Sequence, residues 1–190
     1  MEDSLIWNGF RAGSQKAFET LFGIYYKKLI SYGLKIAPDR QLVDDCIQDL
    51  FFNLWINRDK LPEVISVRGY LFMALRYRLV RALKRHEKRD SLNTVYEGEF
   101  EYSYEDNWIK KEMELQQQEK LQMYIPQLTK RQQEALHLRF YQKLNYAEIS
   151  TIMDISEQAV MNLIYKAVKF LREKFTHVSY CLLLCQFLPA

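Results

Sequence analysis

Gln158, Met161, Asn162, Tyr165, Lys166 and Lys169 lie on one side of a helical register whose other side is Val160, Leu163, Ile164, Ala167, Val168 and Leu171. The apolar set, spaced i, i+3, i+4, i+7, i+8 and i+11, is the stripe of an amphipathic helix packed on a core, so the opposite, polar face stays free. Its amides, amines and phenol suit reversible hydrogen bonds and ion pairs. Covalent catalysis has no comparable signature here. The chain has no Gly-rich phosphate loop and no nucleophile elbow, and its three histidines are too scattered to suggest a catalytic set.

The elements that would position this polar face are a short helix, a tight turn and a longer helix over Leu144 to Phe175, the arrangement that places a recognition helix in the major groove of DNA. Asn145 with Glu148 makes a capping-box-like start for the short helix, and Ser156 is placed as N-cap of the long one. Asp154 occupies the turn where Gly is common, and Asp tolerates the left-handed conformation better than most residues. A helical hairpin in an unrelated bundle is the alternative for this segment. Upstream, Thr129 with Gln132 makes a capping box for a helix through Phe140, after a helical stretch from Asn107 to Tyr124 that halts at Pro126.

Two further helices carry chemistry. The spacing predicts a helix over Ser66 to Lys88 with Leu71, Ala74, Leu75, Leu79, Ala82 and Leu83 as its stripe, while Arg76, Arg81, Lys84 and Arg85 lie outside it or at its rims. Arg78 falls within the stripe and must snorkel or pair. Tyr70, Phe72 and Tyr77 interleave with these cations, a combination suited to single-stranded nucleic acid because phosphates meet Lys and Arg while unstacked bases meet rings. The alternative is a solvated basic face. A helix from Arg40 to Asn57 turns Val43, Ile47, Leu50 and Leu54 one way and Asp45, Gln48, Asp49, Phe52 and Ile56 the other, with Trp55 at the margin. Apolar side chains rimmed by charge suggest a protein-binding patch; the alternative buries Phe52 and Trp55 against the first or third helix. The first helix spans Ser14 to Leu34, with Ala17, Phe18, Leu21, Phe22, Tyr25 and Leu29 inward, and is broken by Pro38 and Asp39.

At 190 residues, with six Gly, four Pro and little strand-like alternation, the chain reads as all-α, in two small helical domains rather than one. A net charge of +3 does not by itself identify a nucleic-acid binder, but its distribution is segmented. Arg76 to Arg89 holds seven Lys or Arg against Glu87, whereas Asp90 to Glu114 holds eight Asp or Glu against Lys110 and Lys111. The domains are therefore expected at 1–89 and 107–176, joined by an acidic linker over 90–106, with an apolar tail over 177–190. The second is a helix-turn-helix domain, winged-helix-like without a wing.

MEDSLIWNGF is acidic and lacks the apolar core of a signal peptide, so a cytoplasmic protein is expected. Cys46, Cys181 and Cys185 are an odd set that suggests reduced thiols. His177, Cys181 and Cys185 share a helical face, but no fourth ligand lies near them in sequence, so no metal is expected. The tail is too short for a membrane span, which needs about 20 apolar residues.

Three blocks, in order, resemble the extracytoplasmic-function (ECF) sigma factors of bacterial RNA polymerase, over Gly13 to Lys174. DDCIQDLFFNLW (Asp44 to Trp55) is similar to the family's core-polymerase-binding helix. VRGYLFMALRYRLVRALKR (Val67 to Arg85) resembles the helix that melts and reads the −10 promoter element. YIPQLTKRQQEALHLRFYQKLNYAEISTIMDISEQAVMNLIYKAVKFLRE (Tyr124 to Glu173) resembles the domain that reads the −35 element.

The resemblance implies that Asp45, Gln48 and Asp49, completed by Phe52 and Trp55, contact the clamp helices of the polymerase β′ chain. It implies −10 contacts from Arg76, Tyr77, Arg81, Lys84 and Arg85, with Tyr77 standing where the family usually has Asn. For the −35 element it implies a base-facing set of Glu157, Gln158, Met161, Asn162 and Tyr165, begun by Ser156. Gln158 and Asn162 suit adenine N6 and N7, and Glu157 can accept from cytosine N4. Lys130, Arg131, Lys166 and Lys169 would hold phosphates. The acidic linker would thread polymerase channels that later carry nucleic acid. The implied partners are core polymerase, promoter DNA and an anti-sigma factor, often membrane-anchored in the family, with no cofactor and no catalysis by the chain itself. The competing class is a helix-turn-helix regulator that binds an operator independently of polymerase and senses a ligand with its front half.

Overall fold

The computed structural model describes residues 2–89 and 123–174, and all regular structure among them is helical. The expected linker, most of the 107–124 stretch, the apolar tail and the His177, Cys181 and Cys185 group lie outside the described residues.

The front half has four helices. α1 (Glu2–Arg11) has no counterpart in the sequence reading, because its fully buried side chains are only Trp7 and Phe10, too few to establish a period. Tertiary packing makes this helix: Trp7 stacks on Phe10 and donates its indole N–H to the Pro62 carbonyl at 3.2 Å. α2 (Gln15–Ile36) starts where Ser14 Oγ accepts the Ala17 N–H at 3.3 Å, and it buries Leu21, Tyr25, Leu29, Ile30 and Tyr32. α3 (Arg40–Ile56) is capped by Asp39, whose Oδ1 accepts the Leu42 N–H at 3.0 Å, and it buries Val43, Ile47, Leu50 and Leu54 as the stripe predicts. α2 and α3 approach closely at Gly33, where a Cβ would run into the Val43 side chain. α4 (Val67–Arg89) closes this half with Leu71, Phe72, Leu75 and Leu79 fully buried.

The back half begins with α5 (Lys130–Leu136), held by the expected Thr129 and Gln132 capping box. The helix widens into a π-helical turn over His137–Tyr141, where the expected helix was to run on to Phe140. α6 (Tyr146–Met153) carries the Asn145 and Glu148 capping box and ends at Asp154, which takes the left-handed conformation at φ 54° and ψ 53°. α7 (Glu157–Lys174) follows, with Val160, Ile164 and Ala167 buried.

The halves do not stand apart. α4 packs against α6 and α2 against α5, and buried apolar side chains of both halves join one continuous cluster. Among the described residues no helix is long and apolar enough to cross a membrane.

Candidate functional site

The outer face of α7 is built from its N-terminus. Ser156 Oγ accepts the Ala159 N–H at 3.2 Å, occupying one of the donors that a helix start leaves unpaired. With the stripe packed inward, Glu157, Gln158, Asn162, Lys166 and Lys169 are exposed, as are Met161 and Tyr165 despite their apolar bulk. Gln158 Nε2 donates to Asn162 Oδ1 at 3.3 Å, so the two amides lie side by side along one helical turn. Lys130 and Arg131 are exposed at the start of α5.

The cation-aromatic set of α4 divides in a way that spacing did not predict. Tyr77, Arg81, Lys84 and Arg85, at i, i+4, i+7 and i+8, form one exposed face. Arg76 is turned the other way: its Nε donates to Glu134 Oε1 of the back half at 2.9 Å. Of the interleaved rings only Tyr77 is free. Phe72 is buried against Tyr32 with centroids 5.0 Å apart, and Tyr70 packs edge-on to Trp7.

On α3, Asp45, Gln48 and Asp49 are exposed together with Phe52 and Ile56, the last two at 63% and 54%. Trp55, expected at the margin of this face, is half-buried. Its ring lies 5.3 Å from Phe18 and 5.7 Å from Phe10, with the Arg58 guanidinium over it at 4.7 Å, so one side of it packs against the aromatic core behind the stripe. Cys46, beneath the stripe, is buried, and burial together with Asp49 pushes its thiol up, away from the reactive thiolate.

A polar cluster between the halves has no counterpart in the sequence reading, because its partners lie 58 to 102 residues apart. Tyr32 Oη donates to Glu134 Oε1 at 2.8 Å, on the same oxygen that Arg76 reaches. Burial, then Glu134, hold the Tyr32 phenol well above its usual range, which keeps it a donor. His137 stacks on Tyr32, and burial beside Lys35 pushes its imidazole down to about 3, so it is neutral here. Two more bonds cross the same boundary: Arg68 Nη1 to the Gln142 carbonyl at 2.7 Å and Ser66 Oγ to Glu148 Oε1 at 2.8 Å. Arg68, Phe72 and Arg76, at i, i+4 and i+8, make this the inner face of α4.

The chain is similar to known proteins over both halves. A model of Sigma-70 region 2 matches residues 21–89 and one of Sigma-70 region 4 matches residues 118–171, together well over half of the chain. The ECF RNA polymerase sigma factor SigM of Bacillus subtilis (strain 168) is 23% identical over 149 residues, 78% of this chain and 89% of that protein. Among solved structures, the sigma factor RpoE from Bartonella quintana, in complex with the anti-sigma factor NepR, superposes with a TM-score of 0.66 at 16% identity, covering 84% of this chain and 96% of that one. CnrH, in complex with the cytosolic domain of CnrY, gives 0.60 at 17% identity, over 97% and 98% of the two chains. Both share the fold of this protein. A capped helix-turn-helix behind a cation-bearing helix, matched in order by both regional models, means that the chain belongs to the sigma-70 family as an ECF sigma factor of RNA polymerase.

Proposed function

We propose that the chain directs promoter-specific initiation through three separate surfaces, each carried by one helix. Residues 1–89 form the unit that binds core polymerase and the −10 element, and residues 107–176 the unit that reads the −35 element. The observation that carries this reading is the outer stripe of α3, where Phe52 and Ile56 stay exposed among Asp45, Gln48 and Asp49 while the opposite face of the same helix is buried. Apolar side chains held in solvent and rimmed by charge fit a protein partner, here the β′ clamp helices. An operator-binding regulator has no use for such a stripe.

The free face of α4, with Tyr77, Arg81, Lys84 and Arg85, fits melted −10 DNA, rings for bases and cations for phosphates. On α7, Gln158 and Asn162 present amides for adenine and Glu157 a carboxylate for cytosine N4, beside Ser156, Met161 and Tyr165. Lys130, Arg131, Lys166 and Lys169 supply backbone contacts that fix register. The chain performs no catalysis, works in the cytoplasm beside the polymerase that supplies the chemistry, and has an anti-sigma factor as its regulatory partner. Both solved relatives described above are held by such partners or by a partner's cytosolic domain.

The test is run-off transcription from the DNA upstream of the chain's own gene with purified core polymerase. The chain should confer a discrete start site that core alone lacks, and Gln48→Ala with Asp49→Ala should weaken capture of core polymerase while the far-ultraviolet spectrum and melting temperature stay nearly unchanged. Sequence-specific DNA binding with no response to core polymerase would favour the independent regulator.

A further inference from the structure

We propose that the chain binds the surface of an anionic lipid bilayer: the uncharged segment that follows α7 enters the boundary between headgroups and acyl chains, and the exposed cations of α7 hold the lipid phosphates. The inference rests on the −35 reading of α7, because the same cations then serve lipid and DNA in turn.

Charge changes abruptly along this part of the chain. Lys166, Lys169, Arg172 and Lys174 stand within one stretch against Glu173 alone, whereas 175–190 holds no Asp, Glu, Lys or Arg. That second stretch carries Leu182, Leu183, Leu184, Phe187 and Leu188, with Tyr180 ahead of them. It is shorter than the about 20 apolar residues that a span requires. The mode open to it is interfacial, with apolar side chains in the headgroup boundary and a tyrosine at headgroup level. Stable anchoring of this kind takes two signals, an apolar insertion and a basic patch. Here the two are consecutive.

The described part of the structure supplies the cationic signal. Lys166, Lys169, Arg172 and Lys174 are all exposed, while Val160, Ile164 and Ala167 across the helix are buried. Lys166, Lys169 and Arg172, at i, i+3 and i+6, lie on the outer side of α7, and Lys174 Nζ stands over the Phe170 ring at 5.7 Å, one residue before the uncharged segment begins. Among the described residues, exposed large apolar side chains stand singly on separate elements, as Leu5, Ile65, Met123 and Tyr141 do, or belong to the faces of α3, α4 and α7 assigned above. No second stripe of such side chains is left among them for Leu182 to Leu188 to cover.

A lipid phosphodiester and a DNA phosphodiester present the same anionic oxygens to Lys166 and Lys169. Lipid held on α7 therefore excludes the −35 element from the same face, and the chain passes from bilayer to promoter as DNA displaces lipid phosphate.

The experiment is co-sedimentation of the full chain, kept reduced, with vesicles of phosphatidylcholine alone and of phosphatidylcholine and phosphatidylglycerol in equal parts. Wild type should pellet with the mixed vesicles and bind the neutral ones about tenfold or more weakly, each Lys or Arg near an anionic surface contributing several-fold. Leu183→Asp with Phe187→Asp should abolish binding to both, with the far-ultraviolet spectrum and melting temperature as in wild type. Lys166→Ala with Lys169→Ala should lose most of the preference for the mixed vesicles. The DNA upstream of the chain's own gene should release wild type from them. Vesicle binding that this DNA leaves intact would keep the lipid surface and withdraw its overlap with the −35 face. Vesicle binding by a chain whose run-off transcription ignores the −35 element would support the lipid surface and remove the −35 reading. If wild type stayed in the supernatant with both vesicles, or the Asp variant pelleted as wild type does, the proposal would be overturned. A wild type that ignores vesicles but melts higher than the Asp variant, or self-associates where that variant does not, would give the segment to the chain's own core or to a second copy instead. Should the Asp variant fail to fold, Lys166→Ala with Lys169→Ala decides by the ratio of binding to the two vesicles.

Discussion

The outer face of α3 and the inner face of α4 are made of the same materials, aromatic rings set among charges, yet one faces water and the other faces the second half of the chain. Phe52 is 63% exposed beside Asp49, whereas Phe72 is fully buried, as are Leu71 and Leu75, and packs against Tyr32. The difference lies in what each helix is given to pack against. α3 has one buried side, which Val43, Ile47, Leu50 and Leu54 fill. α4 is contacted from two directions, by α2 and α3 on one side and by α6 on the other, so polar groups such as Arg68 and Arg76 are drawn into the boundary and must be paired there. Charge among aromatics marks a surface that wants a partner; the tertiary arrangement determines whether that partner is already present.

Substituting the two phenylalanines gives the largest contrast. Phe72→Ala should lower unfolding free energy by about 3 to 5 kcal/mol, the usual cost of emptying a buried phenylalanine site. Phe52→Ala should stay within about 0.5 kcal/mol, as expected of an exposed position, while reducing capture of core polymerase. Urea titration of both variants checks the first part and pull-down the second. Similar destabilisation by both would mean that Phe52 is not the free surface residue described here.

Within α4 the contrast between inner and outer faces can be sharpened by function. Tyr77→Ala with Arg81→Ala should reduce promoter melting more than closed-complex binding, since base stacking contributes about 1 to 3 kcal/mol per base and unstacked bases exist only after opening. Permanganate footprinting of wild-type and variant holoenzymes reads this directly. Equal melting by both would return the outer face of α4 to the status of a solvated basic surface.

The outer face of α7 should divide again, into base and backbone contacts. Gln158→Ala or Asn162→Ala should relax preference at one or two −35 positions, losing about 1 to 3 kcal/mol of discrimination for each bidentate contact removed. Because the two amides bond each other at 3.3 Å, their effects should be less than additive. Lys166→Ala, the smallest in sequence terms, should weaken all promoters alike and flatten the salt dependence. A promoter library scored with each holoenzyme at two salt concentrations distinguishes these outcomes; uniform weakening by all three would withdraw the outer face of α7 as a reader of sequence.

Much of this protein is local chemistry and can be read along the chain. Thr129, Asn145 and Ser156 cap the helices they precede as their types and spacing predict, and Ser14 and Asp39, read from sequence only as a helix start and a helix break, do the same, because a cap needs only a side-chain oxygen and a backbone N–H two or three residues on. Asp154 turns left-handed where the spacing between two stripes demands a tight turn. The stripes of α2, α3 and α7 face inward as their periods predict, and the polar face of α7 is what remains. Tertiary structure alone determined the rest. α1 forms because Trp7 finds Phe10, Tyr70 and the Pro62 carbonyl, not because ten residues hold a clear period. Trp55, at the margin of the outer stripe, is half-buried because Phe10 and Phe18 provide an aromatic pocket behind it. Arg76 leaves the cationic face because Glu134, distant in sequence, offers a carboxylate at the boundary between halves. Helical period and capping depend on neighbours within a turn or two, whereas the environment of an amphipathic side chain at the edge of a stripe depends on which distant element arrives beside it.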